Sequence, residues 1–157
     1  MLKERAAGVL MHISSLPSEY GIGVFDRNCL HFADRLCEMS FRYWQVLPFN
    51  PVDGSNSPYC SSSAFAGNYM FIDPEALYKD GLCTKEEFEE NIYNGSPYTA
   101  DYAFAAEKRL ELLKSAFSRI TPDLAVKIKE FENENGWLTD FSLYMSLNGQ
   151  LSMLLTV

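Results

Sequence analysis

Tyr43-Trp44-Gln45-Val46-Leu47-Pro48-Phe49-Asn50-Pro51-Val52, running on into Asp53-Gly54-Ser55-Asn56-Ser57-Pro58-Tyr59-Cys60, decides the fold. The apolar run Tyr43 to Phe49 is stopped by Pro48 and Pro51 and opens into Asp, Gly, Ser and Asn. A short apolar run with such an exit is predicted to be a buried strand leading into a loop. Upstream, Gly8 to Ile13 is another short apolar run, interrupted by His12, and is predicted as the first strand. Ser14 to Gly23 is rich in Ser, Pro and Gly and reads as a loop. From Asp26, a residue type suited to an N-cap, Cys29, Ala33, Leu36 and Cys37 recur at i, i+4, i+7 and i+8, the stripe of an amphipathic helix. Strand, helix, strand within about 45 residues is a βαβ unit, which requires parallel strands and a right-handed crossover.

From Asp73 the pattern turns helical. Thr84-Lys85-Glu86-Glu87 is a capping box for a short helix with Phe88 and Ile92 inward. A longer helix is predicted from Asp101, with Ala106, Leu110, Leu113 and Phe117 on its buried face. Thr121-Pro122 is a cap followed by a first-turn proline, with Leu124, Ile128 and Phe131 inward. Gly136 breaks the pattern before Trp137, Phe141, Tyr144 and Met145 begin another helix. In the turn Phe65-Ala66-Gly67-Asn68, Gly67 is expected to supply a backbone conformation closed to other residues and Asn68 to anchor the turn. Trp44 and Phe49 are expected in the core.

Composition bounds the function. Hydrophobic residues at 47%, with 14% aromatics, describe a globular chain rather than a disordered one. A net charge of −8 argues against nucleic acid or an anionic membrane as partner, since phosphate recognition needs clustered Lys and Arg. The four cysteines, Cys29, Cys37, Cys60 and Cys83, show neither a Cys-x-x-Cys pair nor metal-ligand spacing, and read as free thiols of a reducing, cytoplasmic compartment. The start Met-Leu-Lys-Glu-Arg lacks the apolar stretch of a signal peptide. With no metal site and no Gly-rich phosphate loop, no cofactor is implied.

The loop after the second run carries the chemistry. Pro58 fixes its own φ and biases Ser57 to an extended conformation, which stiffens the spacing between the Ser57 hydroxyl and the Tyr59 phenol. Hydroxyls beside an aromatic face suit a sugar, which needs hydrogen bonds at its rim and a flat apolar surface beneath its ring.

The wording of these segments resembles the amylomaltase family, the 4-α-glucanotransferases. The resemblance runs from Arg5-Ala-Ala-Gly-Val-Leu-Met-His-Ile-Ser-Ser-Leu-Pro-Ser-Glu-Tyr-Gly-Ile-Gly through Tyr43-Trp44-Gln45-Val46-Leu47-Pro48 and Ser57-Pro58-Tyr59. It continues at Ser63-Ala64-Phe65-Ala66-Gly67-Asn68 and Ile72-Asp73. It is looser at Trp137 and Asp140-Phe141-Ser142-Leu143-Tyr144-Met145 and fades after Leu147. It implies an α/β fold, the N-terminal part of a (β/α)₈ barrel, with residues 1–73 forming the first β/α units, 74–147 a helical insertion and 148–157 a divergent or truncated tail. Such a barrel takes about 250 residues, so 157 residues imply a fragment, a truncated gene or a frameshift.

By the same resemblance the partners are α-1,4-glucans, with Ser57 and Tyr59 as contacts and His12 on the same rim. The alternatives are a loop aromatic covering the core for Tyr59, a turn hydroxyl for Ser57 and a structural imidazole for His12. The implied reaction is retaining glucan transfer, with two carboxyls about 5–5.5 Å apart on either side of the bond. Asp26 and Asp53 match no catalytic motif of the family, so no catalytic residue is expected in this chain. The family's further patch uses a tyrosine shortly before Ser-Pro-Tyr, where this chain has Asp53-Gly54-Ser55-Asn56, so that patch is not expected. The competing reading is a non-catalytic glucan-binding or interaction domain, or an inactive truncated product.

Overall fold

Two short strands, β1 (Gly8–Leu10) and β2 (Tyr43–Gln45), are linked through α1 (Arg27–Glu38) and pair in parallel, with Val9 opposite Trp44. The computed structural model describes residues 5–155. The ladder extends one step further, the Met11 amide donating to the Gln45 carbonyl at 3.0 Å. α1 begins where its cap residue predicted: the Asp26 carboxylate accepts from the Cys29 amide at 3.0 Å. Cys29 and Leu36 are buried, but Cys37 is exposed. At eight residues from Cys29 it sits about 80° round the helix, off the edge of the buried stripe.

The run Tyr43 to Phe49 corrects the expectation of a buried strand. Strand pairing stops at Gln45, and Tyr43 is 47% exposed. Side chains alternate across a sheet, and Trp44 takes the covered face: its indole meets Phe32 of α1 edge-on at 4.9 Å and donates to the Met11 carbonyl at 2.7 Å. Its neighbours Tyr43 and Gln45 point to the other face, which nothing among the described residues covers. The first strand is short too, since Ile13 opens a 3-10 turn, Ile13–Ser15.

The core lies beside the sheet, where Ile13, Leu16, Ile22, Met70, Phe71 and Ala105 pack together. Gly23 permits this: its amide donates to the Ser14 carbonyl at 3.2 Å, and a Cβ there would lie 1.9 Å from the Ile13 carbonyl oxygen. Asn68 anchors its turn as expected, donating its amide to the Phe49 carbonyl at 2.8 Å and accepting from the Met70 amide at 3.0 Å. Gly67 departs from expectation. It has no positive φ and open space around its Cα, so the turn is set by Asn68 and not by a glycine-only conformation.

Helices complete the mixed α/β structure: α2 (Pro74–Lys79), α3 (Lys85–Glu89), α4 (Tyr102–Ser118), α5 (Pro122–Glu134) and α6 (Trp137–Leu155). Thr84 and Glu87 form the predicted capping box. Glu87 also accepts from the Ser115 hydroxyl and pairs with Arg119 at 3.0 Å, tying α3 to α4 and holding its carboxyl down at about 2, chiefly through the Ser115 hydrogen bond. α4 buries Ala105, Arg109, Leu112 and Ala116, one position round from the predicted face, and leaves Phe117 75% exposed. α5 has its predicted cap but no buried residue, and Ile128 and Phe131, expected inward, are exposed. Trp137, opening α6, stacks on Phe65 at 6.2 Å. The tail from residue 148 continues α6 to Leu155; residues 156–157 and the side chains from 149 lie outside the described residues. Among the described residues no helix is long and apolar enough to cross a membrane.

Candidate functional site

Because β1 and β2 run parallel, the chain leaves both strands at one end of the sheet. His12 follows β1 there, and the loop carrying Ser57 and Tyr59 follows β2. The loop is closed at its base by an antiparallel bridge between Val52 and Ser61 and by the Asp53 amide donating to the Cys60 carbonyl at 3.1 Å. Inside it Asp53, Ser55 and Ser57 each fix the backbone two residues on. The Asp53 carboxylate accepts from the Ser55 amide at 2.9 Å and from the Ser55 hydroxyl, and these bonds hold its carboxyl below the usual range. The Ser55 hydroxyl accepts from the Ser57 amide at 3.3 Å, and the Ser57 hydroxyl from the Tyr59 amide at 3.4 Å. Asn56 takes a positive φ of 55° in the tight part of the turn, a conformation asparagine tolerates.

This relay sets the two candidate contacts. The Ser57 hydroxyl serves the turn, yet a hydroxyl also donates once and has a second lone pair, so its O–H remains available. Tyr59 is 73% exposed and no aromatic ring packs on it among the described residues. That removes core covering as its role in this chain. His12 is 8% exposed, stacked on Phe49 at 5.9 Å and edge-on to Phe71 at 5.5 Å. Its Nδ1 has no hydrogen-bond partner, and burial lowers its pKa below 6.5. His12 therefore joins the two strand exits through Phe49, but no hydrogen bond or ring contact links it to Ser57 or Tyr59 among the described residues.

Sequence reasoning missed Phe25. It is 51% exposed and packs edge-on to Phe49 at 5.2 Å and Phe71 at 6.1 Å, which extends the aromatic surface around His12 to solvent. A single aromatic just before a helix cap gave no signal of this. A cavity of about 390 Å³ adjoins the base of the loop, lined by Asp53, Asn56, Asn68, Tyr69 and Tyr102 among others; Ser57, Tyr59 and His12 do not line it. Asp26 and Asp53, the carboxylates weighed against the family's catalytic motifs, are both occupied in accepting from their own local backbone. Among the described residues no group of three or more His, Cys, Asp or Glu could hold a metal ion.

The sequence profile of the family described as 4-alpha-glucanotransferase matches residues 11–153. The chain belongs to the 4-alpha-glucanotransferase family. It is 38% identical over 138 residues to 4-alpha-glucanotransferase of Clostridium butyricum, covering 87% of this chain and 28% of that protein. It is 40% identical over 146 residues to the enzyme of Aquifex aeolicus (strain VF5), covering 91% and 29%. In structure it superposes on amylomaltase from Streptococcus agalactiae in complex with acarbose with a TM-score of 0.83 and 38% identity, covering 90% of this chain and 29% of that one. The chain thus spans under a third of the length of the relatives it matches.

Proposed function

We propose that this chain is a substrate-binding part of a 4-alpha-glucanotransferase, contributing the first β/α units of its barrel, and that the α-1,4-glucan lies against the loop 52–61. Tyr59 is its ring platform, the Ser57 hydroxyl donates to a sugar oxygen, and His12 with Phe49 backs the same rim. The observation that carries this is Tyr59 itself, a large aromatic held out to solvent at 73% exposure on a loop whose every turn is pinned by a hydrogen bond. An exposed ring on a rigid support loses little entropy on binding.

The reaction is retaining transfer: a carboxylate attacks the anomeric carbon, a second carboxyl protonates the departing glucan, and another sugar's 4-hydroxyl intercepts the glucosyl-enzyme. Transfer in place of hydrolysis requires an acceptor held in position and water kept out. This chain supplies the positioning surface, and the carboxylate pair belongs to the remainder of the enzyme. The test compares maltotriose disproportionation by the full-length enzyme and by residues 1–157 alone. The full-length enzyme should accumulate glucose and longer maltodextrins, and the 157-residue chain should accumulate neither. Turnover by the short chain, free of host enzyme, would place the chemistry within it and overturn this assignment.

A further inference from the structure

The segment Glu19-Tyr20-Gly21-Ile22-Gly23, buried except at Glu19, is held by a series of hydrogen bonds to its surroundings. The Ser18 amide donates to the Pro97 carbonyl at 3.0 Å, the Tyr20 amide to the Ser18 hydroxyl at 3.1 Å, the Tyr93 amide to the Glu19 carbonyl at 2.7 Å and the Asp101 amide to the Gly21 carbonyl at 2.7 Å. Gly21 has a φ of +84°, which a side chain rarely adopts, and a Cβ there would lie 2.9 Å from the Phe104 ring. What this loop presents is Tyr20. The side chain is 9% exposed, edge-on to Phe88 at 6.3 Å, with the Arg109 guanidinium 5.8 Å over its ring. Its hydroxyl has no hydrogen-bond partner among the described residues.

Tyr20 lines a cleft of about 700 Å³ between α1 and the segment 16–20, a size that holds a small organic ligand. α1 contributes Arg27, His31 and Arg35, spaced by four residues and hence on one helix face. Arg35 is held by Glu38 at 2.7 Å, whereas Arg27 and His31 make no hydrogen bond among the described residues. The facing wall is apolar, with Leu16, Phe88 and Ile92. The Tyr20 phenol, whose ordinary value of 10.0 already makes it a donor at physiological pH, is pushed up to about 12, first by burial and then by the charges of Asp73, Glu75, Asp26 and Glu19.

Charge selects the ligand. Glu19, Glu75 and Asp26 at the cleft disfavour an anion, while Arg27, Arg35 and the buried Arg109 beneath Tyr20 disfavour a cation. A neutral molecule that both donates and accepts along one edge, and covers an apolar wall with its other, meets all of these demands. Those are the properties of a saccharide. We propose that this cleft is a second saccharide-binding site, separate from the loop 52–61, in which Tyr20 and Arg27 donate to sugar oxygens and Glu19 accepts from a sugar hydroxyl.

The choice of an α-glucan as probe rests on the function proposed above, so the experiment must report on the two places separately. Hydrogen-exchange mass spectrometry of the full chain, titrated with maltotriose, does so peptide by peptide. Protection should develop both in residues 16–20 with 27–38 and in residues 52–61. Tyr20→Phe keeps the ring and its packing but removes the donor, and should raise the half-saturating maltotriose concentration at the cleft by about fivefold while leaving the loop unchanged. Tyr59→Ala should do the reverse. Protection confined to residues 52–61 would overturn the second site and leave the proposed function standing. Protection confined to the cleft would support the second site and overturn the loop assignment, and protection at neither would overturn both. Cleft protection unmoved by Tyr20→Phe and by Arg27→Ala would also overturn the proposal.

Discussion

His12 shows how a side chain predicted from its place at a strand end acquires a physical character only from its neighbours. Packed between Phe49 and Phe71 with an unpartnered Nδ1, it is held in its neutral form, and burial lowers its pKa from 6.5. Well above 6.5 the imidazole is neutral in both the folded and the unfolded chain and adds no pH dependence. Below it the unfolded chain takes up a proton that the folded chain resists, so this residue makes stability fall as pH falls. Denaturant midpoints should therefore drop between about pH 7 and about pH 5, and His12→Phe, which keeps a packed ring, should flatten that slope. An unchanged slope in the variant would show that His12 is not buried as described. Ser57 and Tyr59 were legible as residue types in a stiff loop. The relay from Asp53 through Ser55 to Ser57 was not, because hydrogen bonds two residues apart depend on φ and ψ that composition leaves open.

At the scale of elements, caps were more legible than faces. Asp26, Thr84 and Thr121 cap the helices they were expected to cap, and Asp101, where a helix was expected to begin, caps one as well, since a cap is a local bond between a side chain and an amide three residues on. The buried face of α4 was misjudged for the opposite reason. Ala106, Leu110, Leu113 and Phe117 form the bulkier apolar stripe, but small residues at Ala105 and Ala116 let the helix approach closely, and Ala105 packs into the core with Met70 and Phe71. That choice buries Arg109, whose guanidinium bonds to Asn91 at 3.4 Å and lies over Tyr20. Pattern reasoning avoids placing an arginine inside and so turned the helix the wrong way. The two faces are separable in urea denaturation: Leu112→Ala, at a residue 2% exposed, should cost about 3 kcal/mol. Leu110→Ala, at a residue 44% exposed, should cost under about 1 kcal/mol. Equal costs would mean that α4 packs by its other stripe.

For the molecule as a whole, the β1-α1-β2 order and its parallel pairing were legible because a strand-helix-strand chain permits few arrangements. Strand burial was not, since it depends on what lies on the second face, and Leu10 and Tyr43 are 58% and 47% exposed. In the proposed function the strand exits, the pinned loop and its exposed tyrosine form one unit in which the loop 52–61 would hold the glucan, while Trp44, packed on Phe32 and bonded to Met11, holds the fold. The most direct measurement is kcat/KM for maltotriose disproportionation by the full-length enzyme carrying Tyr59→Ala, read beside its thermal midpoint and beside Trp44→Ala. Loss of a stacking contact should lower kcat/KM about tenfold for Tyr59→Ala with little change in midpoint, while Trp44→Ala should lower the midpoint, with activity per folded molecule retained. Full activity in Tyr59→Ala together with a fall in midpoint equal to that of Trp44→Ala would contradict the account, and would make Tyr59 a packing residue.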